Sequence, residues 1–295
     1  MEKKFYGEGR KHFSIKQKID MRLWFLYPPV LFSKSARIFI LRDFFGKTQS
    51  KIPTVYAGHS LPSREVGNDL IKSLLLNSDS PMCFGRFGDT ELFACADYCI
   101  RKKIADQNFW RLCSNAGYFE SDATRIDEFV NLYMNAFKAT DVLGCWFTIG
   151  EDYLLKKYNP GAKLVQLQSY EPYYFPDNPW SESLKGKSVL VVSPFVESII
   201  QQYRIRDKLF LGTEVLPAFD LKTVKAVQTR GKATDTRFSS WFDAFDYMKN
   251  EISKKTFDMA IVGCGAYSLP LCAFIKDKLK RSVIQMGGQR KFSSV

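Results

Sequence analysis

Residues 188–193 read Ser, Val, Leu, Val, Val, Ser, with no polar position inside the run. A strand with one wet face alternates apolar and polar residues. An unbroken apolar strand is covered on both faces, and helix-covered parallel sheets are where such strands occur. Residues 257–263 and 282–286 repeat the pattern, and amphipathic helical stretches at 239–255 and 267–279 lie between them. Alternation of this kind predicts an α/β fold, with a Rossmann-like, doubly wound and mostly parallel sheet. Earlier in the chain the same reading predicts strands at 81–87, 141–147 and 163–168, and helices at 65–76, 124–138 and 153–158. A helix over 194–207 would place Pro194 at its tolerated first position, and a short strand is expected at 214–218. With 45% hydrophobic residues, a chain of 295 can bury one large core or two small ones.

The stretch Cys83, Phe84, Gly85, Arg86, Phe87, Gly88, Asp89, Thr90, Glu91 is where chemistry is expected. The apolar run stops at Gly88, two carboxylates follow, and Leu92, Phe93, Ala96, Cys99 and Ile100 begin a helical pattern. In open α/β sheets this is how the carboxyl end of a strand presents a ligand site. Asp89 and Glu91 can share a divalent cation if the backbone between them is extended or turning. On a helix they would point about 200° apart. The alternative is that Asp89 caps the helix and Glu91 is a first-turn acid favourable to its dipole. Arg86 could balance the charge of a diphosphate or serve as an ion-pair partner. A second turn, Gly263, Cys264, Gly265, Ala266, Tyr267, Ser268, has small residues that would let phosphate approach the amides of a helix start. A tight strand-to-helix connection explains it equally well, since Leu269 stands where a dinucleotide fingerprint needs glycine. At a third strand end, Glu197 and Ser198 fall in a first helical turn.

Lys and Arg outnumber Asp and Glu by 43 to 31, which favours anionic partners without choosing among them. No nucleic-acid motif is present, and no nucleic acid is expected as a partner. The 7 Cys include no CxxC pair, and only His12 and His59 could join them. A zinc site is not expected, and reduced core cysteines of a cytoplasmic protein are. The first twenty residues are charged throughout, unlike a signal peptide, and no apolar run reaches the roughly 18 residues of a spanning helix. Residues 1–60 read as a basic, aromatic N-terminal arm, distinct from an α/β domain over 61–295. Pro28 and Pro29 break any helix there. Aromatics and leucines interleave with basic residues over 21–47. That pattern suits peripheral contact with an anionic bilayer, or packing of the arm on the main domain. Residues 170–180, rich in proline and aromatics, read as a loop, either a packed connector or a stacking surface for a sugar or base.

Several stretches together resemble one family. Residues 86–91 resemble the DxE region of the GT-D fold glycosyltransferases. Residues 115–119, 142–144, 171–174 with 178–180, and 265–267 with 269–271 are similar to related polysaccharide-biosynthesis proteins. The likeness spans roughly residues 65–290. It implies a metal-dependent glycosyltransferase that moves a hexosyl group from a nucleotide sugar of the UDP type to a growing glycan, free or lipid-linked. It also implies work in the cytoplasm or at the inner membrane face. On this resemblance Asp89 and Glu91 hold Mn2+ or Mg2+ against the donor diphosphate. Arg86, Gly88, Asn115, Gly263, Gly265, Ala266 and Tyr267 lie near the donor. If the reaction inverts, the base is a carboxylate, with Glu197, Asp122 and Glu171 as candidates. The chain departs from its look-alikes at Ser193 and Gln285, where they often carry histidine, and at Ser268, where they carry glycine.

Overall fold

The structure is a computed structural model that describes residues 14–43, 52–119, 125–229, 235 and 237–286. Asp122, His12 and residues 44–51 of the arm lie outside the described residues.

Seven strands form one sheet: β1 Cys83–Gly85, β2 Val142–Cys145, β3 Lys163–Gln166, β4 Ser188–Ser193, β5 Asp220–Lys225, β6 Met259–Val262 and β7 Ser282–Gln285. Their order is β3-β2-β1-β7-β6-β4-β5, and every pairing is parallel. The Rossmann-like expectation therefore holds at the level of an α/β fold with a parallel sheet. Nine helices matter to the site: α1 Ile15–Asp20, α2 Lys34–Asp43, α3 Arg64–Asn77, α4 Asp89–Arg101, α5 Ile126–Lys138, α6 Glu151–Tyr158, α7 Val196–Arg204, α8 Trp241–Ser253 and α9 Ser268–Asp277.

Two apolar clusters cover the two faces. One is built by α4, α5, α6, α8 and α9, and includes Phe87, Leu92, Phe129, Tyr133, Phe137, Trp241 and Leu271. The other holds Ile71 of α3, Ile199 of α7, Tyr170, Trp180 and the opposite side chains of the strands. Burial of α5 follows its spacing: Phe129, Val130, Tyr133, Met134 and Phe137 recur at the helical period and all face inward. The chain leaves β4 over one face through α7 and leaves β6 over the other through α9. Adjacent strands whose connections part in this way open a crevice at their carboxyl ends.

Some elements differ from the sequence expectation. The strand expected at 214–218 lies instead at Asp220–Lys225. This strand ends the sheet with α7 on one face and α8 on the other, but Asp220, Lys222 and Lys225 interrupt its apolar residues and weaken the run that marks the central strands. Pro194 stands outside α7, which starts at Val196 and stops at Arg204. Residues 115–119, which read from sequence as a loop, start inside a π turn over Leu112–Ala116 that is closed by Gly117 in the left-handed region, φ +82°. Pro28 and Pro29 end the turn Leu23–Leu26 but occupy the first positions of a further turn, Pro28–Leu31, where a missing N–H costs nothing.

The arm packs on the domain. Trp24 is fully buried in the larger cluster, with its ring 5.7 Å from Phe93 and against Gly150. Val30 and Ala36 are buried with it. The start of α2 is tied down by Asp152, which accepts from the amides of Lys34 (2.8 Å) and Ser35 (3.2 Å) and from the Ser35 hydroxyl (2.6 Å). Ser33 accepts from the Ala36 amide. The donors left open at a helix start are thus supplied by a side chain 118 residues away and one next door.

Candidate active site

At the carboxyl end of β1 the chain turns through Arg86, Phe87 and Gly88 into α4. Gly88 is the cap residue, and Asp89 and Glu91 both lie inside the first turn. The two carboxylates therefore part, as helical spacing demands. Asp89 is half exposed. It accepts from the Thr90 amide at 2.8 Å and lies 4.0 Å from Arg111. Glu91 is buried and folds back over Gly88, close enough that a Cβ at position 88 would run into its carboxylate. Glycine leaves room for that placement, and any larger residue at 88 would displace the Glu91 carboxylate.

Arg86 lies beside Glu91. Its amide donates to Gln285 Oε1 at 2.9 Å, which ties β1 to β7 at their carboxyl ends. Its guanidinium stands 5.0 Å from the centre of the Trp146 ring, and its buried Nε–H has no hydrogen-bond partner. Burial pulls the Arg86 pKa down, and the negative charge of Glu91 and Glu171 acts against that. Glu171 shows the mirror effect: burial raises its pKa and Arg86 opposes the rise. One buried cation thus feels the charge of two carboxylates that follow different strands.

The other sequence candidates distribute unevenly. Gly265 has φ +63°, and a Cβ there would stand 3.0 Å from the Ala116 carbonyl, so the glycine turn is packed against the π turn that carries exposed Asn115. A Cβ on Gly263 would meet the Met286 carbonyl at 2.9 Å. The Cys264 amide already donates to the Ser268 hydroxyl, 2.8 Å, which removes one donor from any phosphate. Ala266 and Tyr267 point into the core, where Tyr267 stacks on Trp241 at 4.6 Å. Glu197 is exposed and paired with Lys225 at 2.6 Å, and that lysine lowers its pKa. It sits beyond β4, three strand spacings or about 14 Å from β1. The loop at 170–180 is divided: Tyr170 and Trp180 are buried, the Tyr170 hydroxyl bridging the carbonyls of Gly85 and Val142, while Tyr174 faces outward. Among the described residues no group of three or more His, Cys, Asp or Glu gathers as a metal cluster.

Three contributors were not singled out from sequence: Arg111, Trp146 and Glu151. Trp146 could have been found by position alone, because it directly follows a buried parallel strand. Glu151, in the first turn of α6, accepts from the amides of Trp146 (3.0 Å) and Phe147 (2.8 Å) and from the Tyr56 hydroxyl (3.0 Å). It thereby fixes the turn that holds Trp146 over Arg86, with Phe147 left-handed at φ +57°. Burial raises the Glu151 pKa from 4.5 to about 7, and its three donors pull the other way. Within that window the folded chain keeps a proton that the unfolded chain releases. Stability is therefore expected to fall as pH rises through it, by at most about 1.4 kcal/mol per pH unit. Glu151→Gln, which cannot ionise, should flatten the slope of denaturant midpoint against pH in the same window. An unchanged slope would assign the dependence elsewhere.

No family model, no curated protein and no solved structure matches the chain.

Proposed function

We propose that the protein is a metal-dependent glycosyltransferase, moving a sugar from a nucleotide diphosphate donor to a growing glycan. The observation that carries the reading is the seating of Arg86 at the carboxyl end of a parallel sheet. It feels the charge of Glu91 and Glu171, its buried Nε–H has no hydrogen-bond partner, and Asp89 follows three residues later at the start of α4. A fixed cation in that position neutralises a diphosphate, and the ordered motifs resembling GT-D enzymes supply the sugar.

Carboxylate oxygens suit a hard divalent cation, but Asp89 and Glu91 part in the first turn of α4 and form no ready-made pair. Mg2+ and Mn2+ are commonly held by one or two carboxylates, with phosphate and water completing the shell. Asp89, open to solvent, is the residue that would hold it together with the donor phosphates; Glu91, folded back over Gly88, does not share it in this arrangement. Such an ion would stabilise negative charge on the departing diphosphate. Arg86 orients the phosphates, and the Trp146 ring keeps the guanidinium in place. Glu171 is the carboxylate beside Arg86, and a pKa raised by burial suits it to take the proton of an acceptor hydroxyl. Glu197, committed to Lys225 beyond β4, is not assigned this role.

Calorimetry against a panel of nucleotide sugars, with and without Mn2+, tests the proposal when followed by assay of nucleotide diphosphate release. Metal-dependent binding with slow donor hydrolysis is expected. Binding with neither metal dependence nor turnover would replace the enzyme by a nucleotide-sugar-binding module, and no binding at all would overturn both readings.

A further inference from the structure

The arm buries one set of apolar residues and exposes another. Met21, Trp24, Val30 and Ala36 face the core, while Ile15, Ile19, Leu23, Leu26, Leu31 and Phe32 face away from it. Ile15 is 77% exposed and Phe32 84%. Ile15 and Ile19 are one helical turn apart on α1, and Leu23 and Leu26 one turn apart on the next, so the outward residues recur turn after turn. Lone exposed leucines are ordinary; a run of six over eighteen residues is not. Among the described residues nothing packs over them.

The charges around this ridge are predominantly positive, with Asp106 near α1 and Asp152 in the groove wall as the acids contributed by the domain. Over residues 14–38 the basic residues are Lys16, Lys18, Arg22, Lys34 and Arg37, against a single acid. That acid, Asp20, is already neutralised by Arg101 at 2.8 Å. Beside Phe32 a groove of ≈ 480 Å³ runs between the arm and α6, with Lys156 and Lys157 exposed along it. Apolar side chains projecting between cations are complementary to an anionic bilayer: acyl chains below, phosphates at the level of the lysines. No helix among the described residues is long and apolar enough to cross a membrane, so the contact is interfacial.

We infer that the arm is a membrane-docking surface. Leu26, Leu31 and Phe32 insert at the headgroup boundary of an anionic bilayer, and Lys156 and Lys157 meet lipid phosphate in the groove. The inference is independent of what the site at Arg86 does.

Co-sedimentation of the full chain with vesicles tests it, using phosphatidylcholine alone and phosphatidylcholine mixed with phosphatidylglycerol. Binding to the mixed vesicles only is expected, weakened at molar salt, where screening acts within about 3 Å. The double variant Leu26→Ser with Phe32→Ser should bind at least about tenfold more weakly, and Lys156→Gln with Lys157→Gln should lose the preference for anionic lipid. All four side chains are exposed or nearly so, and an unchanged melting temperature will show that the fold is kept. Failure to bind mixed vesicles overturns the inference, as does equal binding by the double variant. A concentration-dependent dimer that Phe32→Ser dissolves, without vesicle binding, would give the ridge to a second copy instead.

Discussion

Asp89→Ala is expected to lower metal-dependent donor turnover by roughly a thousandfold while leaving the melting temperature almost unmoved. An ion that neutralises a departing diphosphate contributes several kcal/mol to the transition state, and about 1.4 kcal/mol is a factor of ten. Asp89 is half exposed, and its partners are its neighbour Thr90 and a distant Arg111. Surface substitutions of this kind usually stay within about 0.5 kcal/mol in stability. Glu91 needs a different variant. It is buried beside Arg86, so Glu91→Ala would mix loss of function with an exposed cavity and a less balanced cation. Glu91→Gln keeps the shape and removes only the charge that opposes the Arg86 desolvation, so it is expected to lower turnover less than Asp89→Ala. If both carboxylates serve only the dipole of α4, each substitution costs no more than about 1 kcal/mol of stability, and turnover stays intact. Measuring turnover and melting together for Asp89→Ala and Glu91→Gln therefore separates the two roles.

Trp24→Ala is expected to destabilise the whole fold, not the arm alone. Truncating a fully buried tryptophan costs roughly 3–5 kcal/mol. Trp24 meets Phe93 of α4 and the turn at Gly150, and Phe93 in turn lies 5.2 Å from Arg111. In a chain of this size about 2 °C accompanies each kcal/mol, so a fall of about 6–10 °C in a single cooperative transition is the expected result. A two-step transition, with the later step at the wild-type temperature, would show instead that the arm melts by itself.

The sheet was legible because its central strands are apolar on both faces: Ser188–Ser193 and Met259–Val262 stand out as unbroken runs. The strand Asp220–Lys225 was not, since Asp220, Lys222 and Lys225 make its sequence read like a polar connector. The start of α4 was located by the change from strand to helical spacing, but the cap went to Gly88 because Glu91 needs the space a side chain there would fill. Arg86 could be nominated from its place before two acids. Its neighbours Trp146, Glu171 and Gln285 come from three other strand ends, and no local pattern carries that meeting. The same holds for Asp152, which serves a helix more than a hundred residues earlier in the chain.

The edge strand Asp220–Lys225 has a consequence for the chain in concentrated solution. A parallel sheet that ends in a bare strand exposes a row of peptide donors and acceptors on which another chain could template itself. Here that margin carries Asp220, Lys222 and Lys225, and Lys222 and Lys225 are drawn to Thr256 and Glu197 along it. At the opposite margin, Lys163–Gln166 is only four residues long and runs straight into the turn Leu167–Tyr170. Charge guards one border and brevity the other, so the same residues that hide a strand from a reader of the sequence keep its fibre-forming side closed.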